Sequence, residues 1–246
     1  MRRRERRIDP PAPLVDADAI VRFVDETGVV MASGKSSLPS LTEAIVGHTI
    51  TGSWMADREV HRIYDLWVEA EGKGLASAPL AQGKQVFLRA SLLPALAAIA
   101  GDPDRLARAV DGLKPLERQL YDAVVAGGDV RMDEWAQINL VKTSQARTAR
   151  TRLAALSLVT GEELHTDAGY HTVVLRPAAH KRPTLKFAAA TRELMLAAVR
   201  ACVLADAKEV RKWNDWSADA LDALLDAGDV VALDHRVVHK DVLVDT

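Results

Sequence analysis

Thr143-Ser-Gln-Ala-Arg-Thr-Ala-Arg-Thr-Arg-Leu-Ala-Ala-Leu-Ser-Leu-Val-Thr160 decides how the rest of the chain is read. From Ala136 to Gly161 there are four positive charges, Lys142, Arg147, Arg150 and Arg152, and no acid, inside a 246-residue chain of net charge -2. At about 100° per residue, Ala146, Ala149, Leu153 and Leu156 share one face of a helix over residues 143–158, the face to bury. Opposite lie Ser144, Arg147, Thr148 and Thr151, with Arg150 and Arg152 on the two flanks. A stripe of one Arg and short hydroxyl residues, flanked by Arg, suits a helix in a DNA groove. Its centre can reach base edges and its flanks phosphates. The same residues also make an ordinary solvated face, so the surrounding elements must decide.

Outward from this helix the pattern is ordered. After Asp102-Pro103, residues 115–126 predict a helix with Leu116, Leu120, Val124 and Val125 inward, ended by Gly127-Gly128. Residues 129–132 are a short extended piece and residues 133–139 a second helix. Beyond the arginine-rich helix, residues 162–176 alternate as two strands around Asp167-Ala-Gly169, a hairpin signal. Helix, short strand, helix, helix and hairpin is the order of a winged helix.

The order repeats after a linker over residues 178–183. A long helix runs to Leu204, a second covers 205–213 and a third 217–227, and residues 229–244 alternate around Asp234-His235-Arg236. Two such units of about 60 to 70 residues look like tandem winged helices. The third helix of the second unit carries Asp219, Asp222 and Asp226 on one face and Leu221, Leu224 and Leu225 on the other. That acidic face repels phosphate, so this unit is expected to pack against a neighbour.

Towards the N-terminus, residues 14–101 read as a mixed, mainly helical region. Ile20, Val21, Phe23 and Val24 mark a helix stopped by Gly28, and Ser40-Leu-Thr-Glu43 is a capping-box pattern opening a short helix ended by Gly47. Val60, Ile63, Tyr64, Trp67 and Val68 follow the helical rule up to Gly72. Gln85-Val-Phe-Leu88 is a short strand before a helix over 91–100. Residues 1–13, with five arginines and three prolines, read as a disordered basic arm. The expected fold class is therefore α+β, mainly helical, with tandem winged helix-turn-helix units. Its segments are an arm over 1–13, a helical α/β region over 14–101, a winged helix with a basic third helix over 102–177, and one with an acidic third helix over 184–246.

Composition excludes several functions. With 48% hydrophobic and 27% charged residues the chain reads as globular, and 4% aromatic content leaves little for base-stacking platforms on single strands. A pI near 6.4 argues against a general nucleic-acid coating protein, so any nucleic-acid contact must be local. The single cysteine, Cys202, excludes an internal disulfide and a cysteine-rich zinc site, and it lies in an apolar helical run as a core residue. No apolar run approaches the ~18 residues of a membrane span, and a cytoplasmic protein is expected.

Motifs that invite chemistry fall away. Ser33-Gly-Lys-Ser36 resembles a phosphate loop, but five residues separate Gly28 from Gly34 where the motif needs four, and a helix rather than a strand precedes Gly28. His235 and His239 share a strand face at ~13 Å, too far apart for one ion, and read as exposed. Trp213 and Trp216 read as core anchors, and Glu162-Glu163, Asp65, Glu69 and Glu71 as surface charge. No catalytic Ser/His/Asp or Cys/His set, cofactor site or metal site emerges.

Phe23-Val-Asp-Glu-Thr-Gly28, Leu38-Pro-Ser-Leu-Thr-Glu-Ala-Ile-Val-Gly47, Gly83-Lys-Gln-Val-Phe-Leu88 before Ser91-Leu-Leu-Pro94, and the two units that follow resemble bacterial winged-helix proteins related to the AlkZ (YcaQ-like) DNA glycosylases. That family unhooks alkylated bases and interstrand crosslinks. The resemblance implies tandem winged helices and a duplex DNA ligand. The glycosylases carry a catalytic Gln-x-Gln, and the glutamines here, Gln82, Gln85, Gln119, Gln137 and Gln145, are never two apart. The expectation is a duplex-DNA-binding protein in DNA repair or transcriptional control, contacting DNA through Lys142, Ser144, Gln145, Arg147, Thr148, Arg150, Thr151 and Arg152. The alternatives are a DNA glycosylase with an altered active site and a protein-interaction module. The sequence leaves open the DNA sequence or lesion and the oligomeric state, a homo-oligomer included.

Overall fold

One order of elements, helix, strand, helix, helix, strand, strand, occurs three times in the computed structural model, which describes residues 13–165, 171–180 and 184–244. The basic arm up to residue 12, the hairpin tip Asp167-Ala-Gly169 and the last part of the linker before Pro183 lie outside the described residues. The first occurrence is α1 (Ala17–Thr27), β1 (Val29–Met31), α2 (Leu41–Val46), α3 (Val60–Gly72), β2 (Ala76–Ala81) and β3 (Lys84–Leu88), followed by α4 (Leu93–Ala100) and α5 (Pro103–Asp111). The second is α6 (Pro115–Gly127), β4 (Val130–Arg131), α7 (Met132–Ile138), α8 (Thr143–Ala155), β5 (Val159–His165) and β6 (His171–Pro177). The third is α9 (Phe187–Cys202), β7 (Leu204–Asp206), α10 (Ala207–Val210), α11 (Ser217–Asp226), β8 (Val230–Leu233) and β9 (Arg236–His239), closed by α12 (Lys240–Val244). Each sheet is antiparallel and three-stranded, and its first strand pairs with its third, in the orders β1-β3-β2, β4-β6-β5 and β7-β9-β8.

Sequence patterning finds this order twice, and the structure shows it three times. Two strands of the first occurrence are missing from the sequence reading: β1, three residues long, and β2, Ala-Ser-Ala-Pro-Leu-Ala, which has no β-branched residue and holds Pro79 beside a register irregularity. Pro cannot donate to a ladder and so disguises a strand. In the third occurrence, the helix expected to reach Leu204 stops at Cys202. Val203 turns at φ 61, and Leu204 pairs with Val238. Residues 240–244, expected to continue the hairpin, form α12.

The described residues up to Leu96 pack with those from Leu185 onward as one compact unit, and Ala97 to Thr184 form a second. In the first unit, Asp16 accepts from the Ala19 amide at 2.7 Å and opens α1, whose Ala17, Ile20, Phe23 and Val24 are buried. Ser40 caps α2 through the Glu43 amide, whereas the Glu43 carboxylate accepts from the Ile50 amide at 3.0 Å. Gly47 ends α2 at φ 71, and a Cβ there would lie 2.7 Å from Cγ of Pro13. Gly47→Ala should therefore destabilise this unit by about 1–2 kcal/mol, read as a lower urea midpoint.

Helix α3 is turned from its expected orientation. Tyr64 is 57% and Val68 48% exposed, while Ile63 and Ala70 are buried and Leu66 and Trp67 pack against the core. The turn follows from Trp67, which meets Phe87 edge-on at 5.2 Å and Trp54 at 5.9 Å. Such contacts outweigh exposing one Tyr and one Val.

Residues of the third occurrence complete the core of the first. Helix α9 packs on α11, β9 and β1. Leu194, Met195, Trp213 and Trp216 line a small apolar cavity with Val29 and Val86. Cys202 is fully buried, and both tryptophans are core residues. His239, expected to be exposed, is buried. Its Nδ1 accepts from the Asp241 amide at 3.2 Å, and burial holds its pKa below the ordinary histidine value. Helix α9 packs on β9 and covers a face that the hairpin reading assigned to solvent.

The second unit is centred on Leu120, Val124, Trp135, Ala146, Ala149, Leu153 and Leu175, all buried. Val125, expected inward, is 56% exposed. Helix α5 has no counterpart in the sequence reading, although Asp102 accepts from the Arg105 amide at 2.8 Å and Pro103 begins the helix, an N-terminal signature. Among the described residues no helix is long and apolar enough to cross a membrane.

Candidate nucleic-acid interface

Helix α8 begins after Lys142, whose side chain makes no capping bond, and its first turn holds no acid. It ends at Ala155, three residues before the expected limit, because Ser157 adopts φ 59. The Leu158 amide reaches back to the Leu153 carbonyl at 3.0 Å, which drops Leu158 into the core and starts β5 at Val159. This 6→1 bond around a left-handed residue is a Schellman ending.

The inner face is the expected one: Ala146, Ala149, Leu153 and Leu156 are each at most 2% exposed. Lys142, Ser144, Gln145, Arg147, Thr148 and Arg152 are exposed, and Arg150 and Thr151 are half-buried. All eight residues singled out from the sequence thus lie on the outer side or flanks of one helix. The Thr148 hydroxyl donates to the Ser144 carbonyl at 2.9 Å, so its donor is engaged while its methyl and oxygen lone pair stay outward. Beside the helix, Arg147 and Arg150 line a cleft with Met132, Val141, Thr143 and Thr172.

Four acids of the same unit are paired with arginines outside α8. Arg131 reaches Asp133 at 2.8 Å and Glu134 at 2.9 Å, and Arg176 bridges Asp129 at 2.8 Å and Glu162. The Arg131 hydrogen bond holds the Asp133 carboxyl below its ordinary value, and Arg176 does the same for Asp129. These exposed pairs contribute little to stability. Their consequence is electrostatic, because four carboxylates, including Asp133 in the cleft lined by Arg147 and Arg150, are each matched by an arginine.

The other two helices at this place in the order are unlike α8. On α3 the exposed side carries His61, Tyr64, Asp65, Val68 and Glu69. On α11, Asp219, Asp222 and Asp226 are exposed, Asp222 meets Arg211 at 2.5 Å, and Leu221 and Leu224 are buried.

The sequence reading misses two residues of this surface. Ile138, the last residue of α7, and Leu140, in the turn before α8, are 78% and 93% exposed. The only sequence signal is a mostly apolar run, Ile-Asn-Leu-Val, in which the structure half-buries Asn139 and Val141 and exposes Ile138 and Leu140.

The residues of the rejected phosphate loop do something else. Ser36 Oγ donates to Glu209 at 2.5 Å, Ser37 donates from Oγ at 2.6 Å and from its amide at 2.9 Å, and Trp213 Nε1 donates at 3.3 Å. Burial alone would raise the Glu209 pKa. The bonds from Ser36, Ser37 and Trp213 together outweigh it and hold the group below its ordinary value. A carboxylate so occupied is an internal tie rather than a free base. Among the described residues no cluster of three His, Cys, Asp or Glu side chains is placed to hold a metal ion.

No family model matches the chain, and no curated protein matches it in sequence. Among solved structures, Streptomyces sahachiroi DNA glycosylase AlkZ is similar, with a TM-score of 0.50 and 16% identity, over 99% of this chain and 69% of that one. At that identity the similarity is one of fold: a mixed, mainly helical α+β architecture with small antiparallel sheets.

Proposed function

We propose that this chain is a duplex-DNA-binding protein of tandem winged-helix type, acting in DNA repair or transcriptional control, with α8 in the major groove. The observation that carries the reading is the outer face of α8, basic and free of acid on the helix that precedes a two-stranded hairpin. In a winged helix that position is the recognition helix. The fold shared with the DNA glycosylase AlkZ supports a nucleic-acid partner, and each occurrence of the repeated order corresponds in this reading to one winged helix. Arg147, central on the face, is assigned to base edges. Lys142, Arg150 and Arg152 are assigned to phosphates, with Ser144, Gln145, Thr148 and Thr151 between them.

An electrophoretic shift titration on mixed-sequence duplex at 50 and 200 mM salt tests the reading. Three phosphate contacts give a salt slope of about -2.7, so affinity should fall about fortyfold between the two conditions. Affinity that ignores salt, or no shift at either condition, would sink it. The second reading, a glycosylase with an altered active site, is favoured by the shared fold alone. Incubation with alkylated or crosslinked duplex that releases no base and leaves no abasic site would exclude it.

A further inference from the structure

Leu140 is the most exposed large hydrophobic side chain among the described residues, and its backbone is left-handed at φ 53. It occupies the turning position of a Schellman ending on α7. The Leu140 amide donates to the Gln137 carbonyl at 3.2 Å and the Val141 amide to the Ala136 carbonyl at 2.9 Å. That position favours glycine, because a Cβ is strained there. The chain uses glycine where it ends α1, α2 and α6, at Gly28, Gly47 and Gly128, and left-handed Ser157 and Val203 after α8 and α9, but of these non-glycine endings only Leu140 is exposed. The hydrophobic contact that accompanies such an ending is supplied by the next residue, Val141, which packs against the core. Leu140 therefore adds nothing to the fold that glycine would not, while exposing an apolar side chain in a strained conformation. Strain that the fold does not require points to function.

Its place says which function. Leu140 lies two residues before Lys142, the N-cap position of α8, and two after exposed Ile138, at the N-terminal end of α8. In a helix-turn-helix that end of the recognition helix meets base edges. The corresponding connection between α10 and α11 exposes Arg211, Lys212 and Asp215 and buries both tryptophans. An apolar tip is thus no requirement of the turn.

We propose that Leu140 is a specificity-determining residue that packs against the 5-methyl group of thymine in the major groove, a contact apolar side chains make there. The proposal rests on the duplex-binding reading. It is tested by fluorescence anisotropy on two otherwise identical mixed-sequence duplex pools, one with thymine and one with uracil throughout. The wild-type protein should bind the thymine pool about fourfold more tightly, the worth of one buried methyl group. Leu140→Gly should bind both pools with the wild type's affinity for the uracil pool, and should melt no lower than wild type by circular dichroism. A wild type that binds both pools equally overturns the proposal and leaves duplex binding standing, as does a Leu140→Gly variant that keeps the preference. A wild type that binds neither pool overturns the duplex reading, and this proposal with it.

Discussion

Replacing Arg147, Arg150 and Arg152 together with alanine should lower affinity for duplex DNA about a thousandfold at 100 mM salt, a loss of about 4 kcal/mol assembled from one base contact and two phosphate contacts. The components separate. Arg147→Ala alone should weaken binding about tenfold to a hundredfold and relax sequence preference, because a bidentate base contact discriminates between bases. Arg150→Ala and Arg152→Ala should each weaken binding evenly across sequences and reduce the salt slope by about one. The fold should survive all three changes, since Arg147 and Arg152 are exposed, Arg150 is half-buried and the packed face is Ala146, Ala149, Leu153 and Leu156. Circular dichroism and anisotropy on the same preparations check this. Equal duplex affinity of wild type and triple variant would refute the placement of α8 in the groove, and would favour a solvated arginine face on a protein-interaction module.

The second large effect is on stability. Glu209→Ala removes the acceptor shared by Ser36, Ser37 and Trp213, leaving donors of buried Ser37 and Trp213 and half-buried Ser36 unmatched. Hydrogen bonds to a charged group contribute about 1.5–3 kcal/mol each, and partial exposure lets water recover some of that, so a net loss of about 3 kcal/mol is expected. Tryptophan fluorescence follows it in urea, because Trp54, Trp67, Trp213 and Trp216 all lie in the unit that Glu209 ties together. The pH dependence has a definite sign. The folded pKa of Glu209 is depressed from its ordinary value of 4.5, so its stabilisation is fully present above that value and fades as pH falls through the lower folded value. The alanine variant should lack this acid-sensitive component, whereas Glu209→Gln, which keeps one acceptor oxygen, should lose less stability at neutral pH. An unchanged urea midpoint in the alanine variant would refute the tie.

The contrast between α8 and α11 explains why one recognition surface is proposed rather than three. The repeated order places a helix before a hairpin each time, and the order itself carries no chemistry. On α8 the outer residues are Arg, Thr, Ser and Gln. On α11 they include three aspartates, whose field repels a phosphate backbone. Side-chain identity on one face decides which copy can face DNA, so exchanging charge on α8 should have consequences that the same exchange on α11 does not.

Sequence by itself determined what depends on neighbours along the chain. The faces of α8, the caps at Asp16 and Ser40, the stops at Gly28 and Gly47, and the arginine and threonine stripe all follow from a 3.6-residue period and from local hydrogen bonding, and so did the burial of Cys202, Trp213 and Trp216. Only the tertiary structure decided what depends on residues far apart. Tyr64 and Val68 face outward because Trp67 packs on Phe87, twenty residues on. His239 is buried in a strand on which α9, more than thirty residues earlier, packs. The strand β2 exists because β3 supplies the partner that its own composition does not announce. Ser36 and Ser37, which resemble a phosphate loop, close instead on Glu209 across more than 170 residues of chain, a pairing that no local pattern encodes because its energy appears only when the ends of the chain meet.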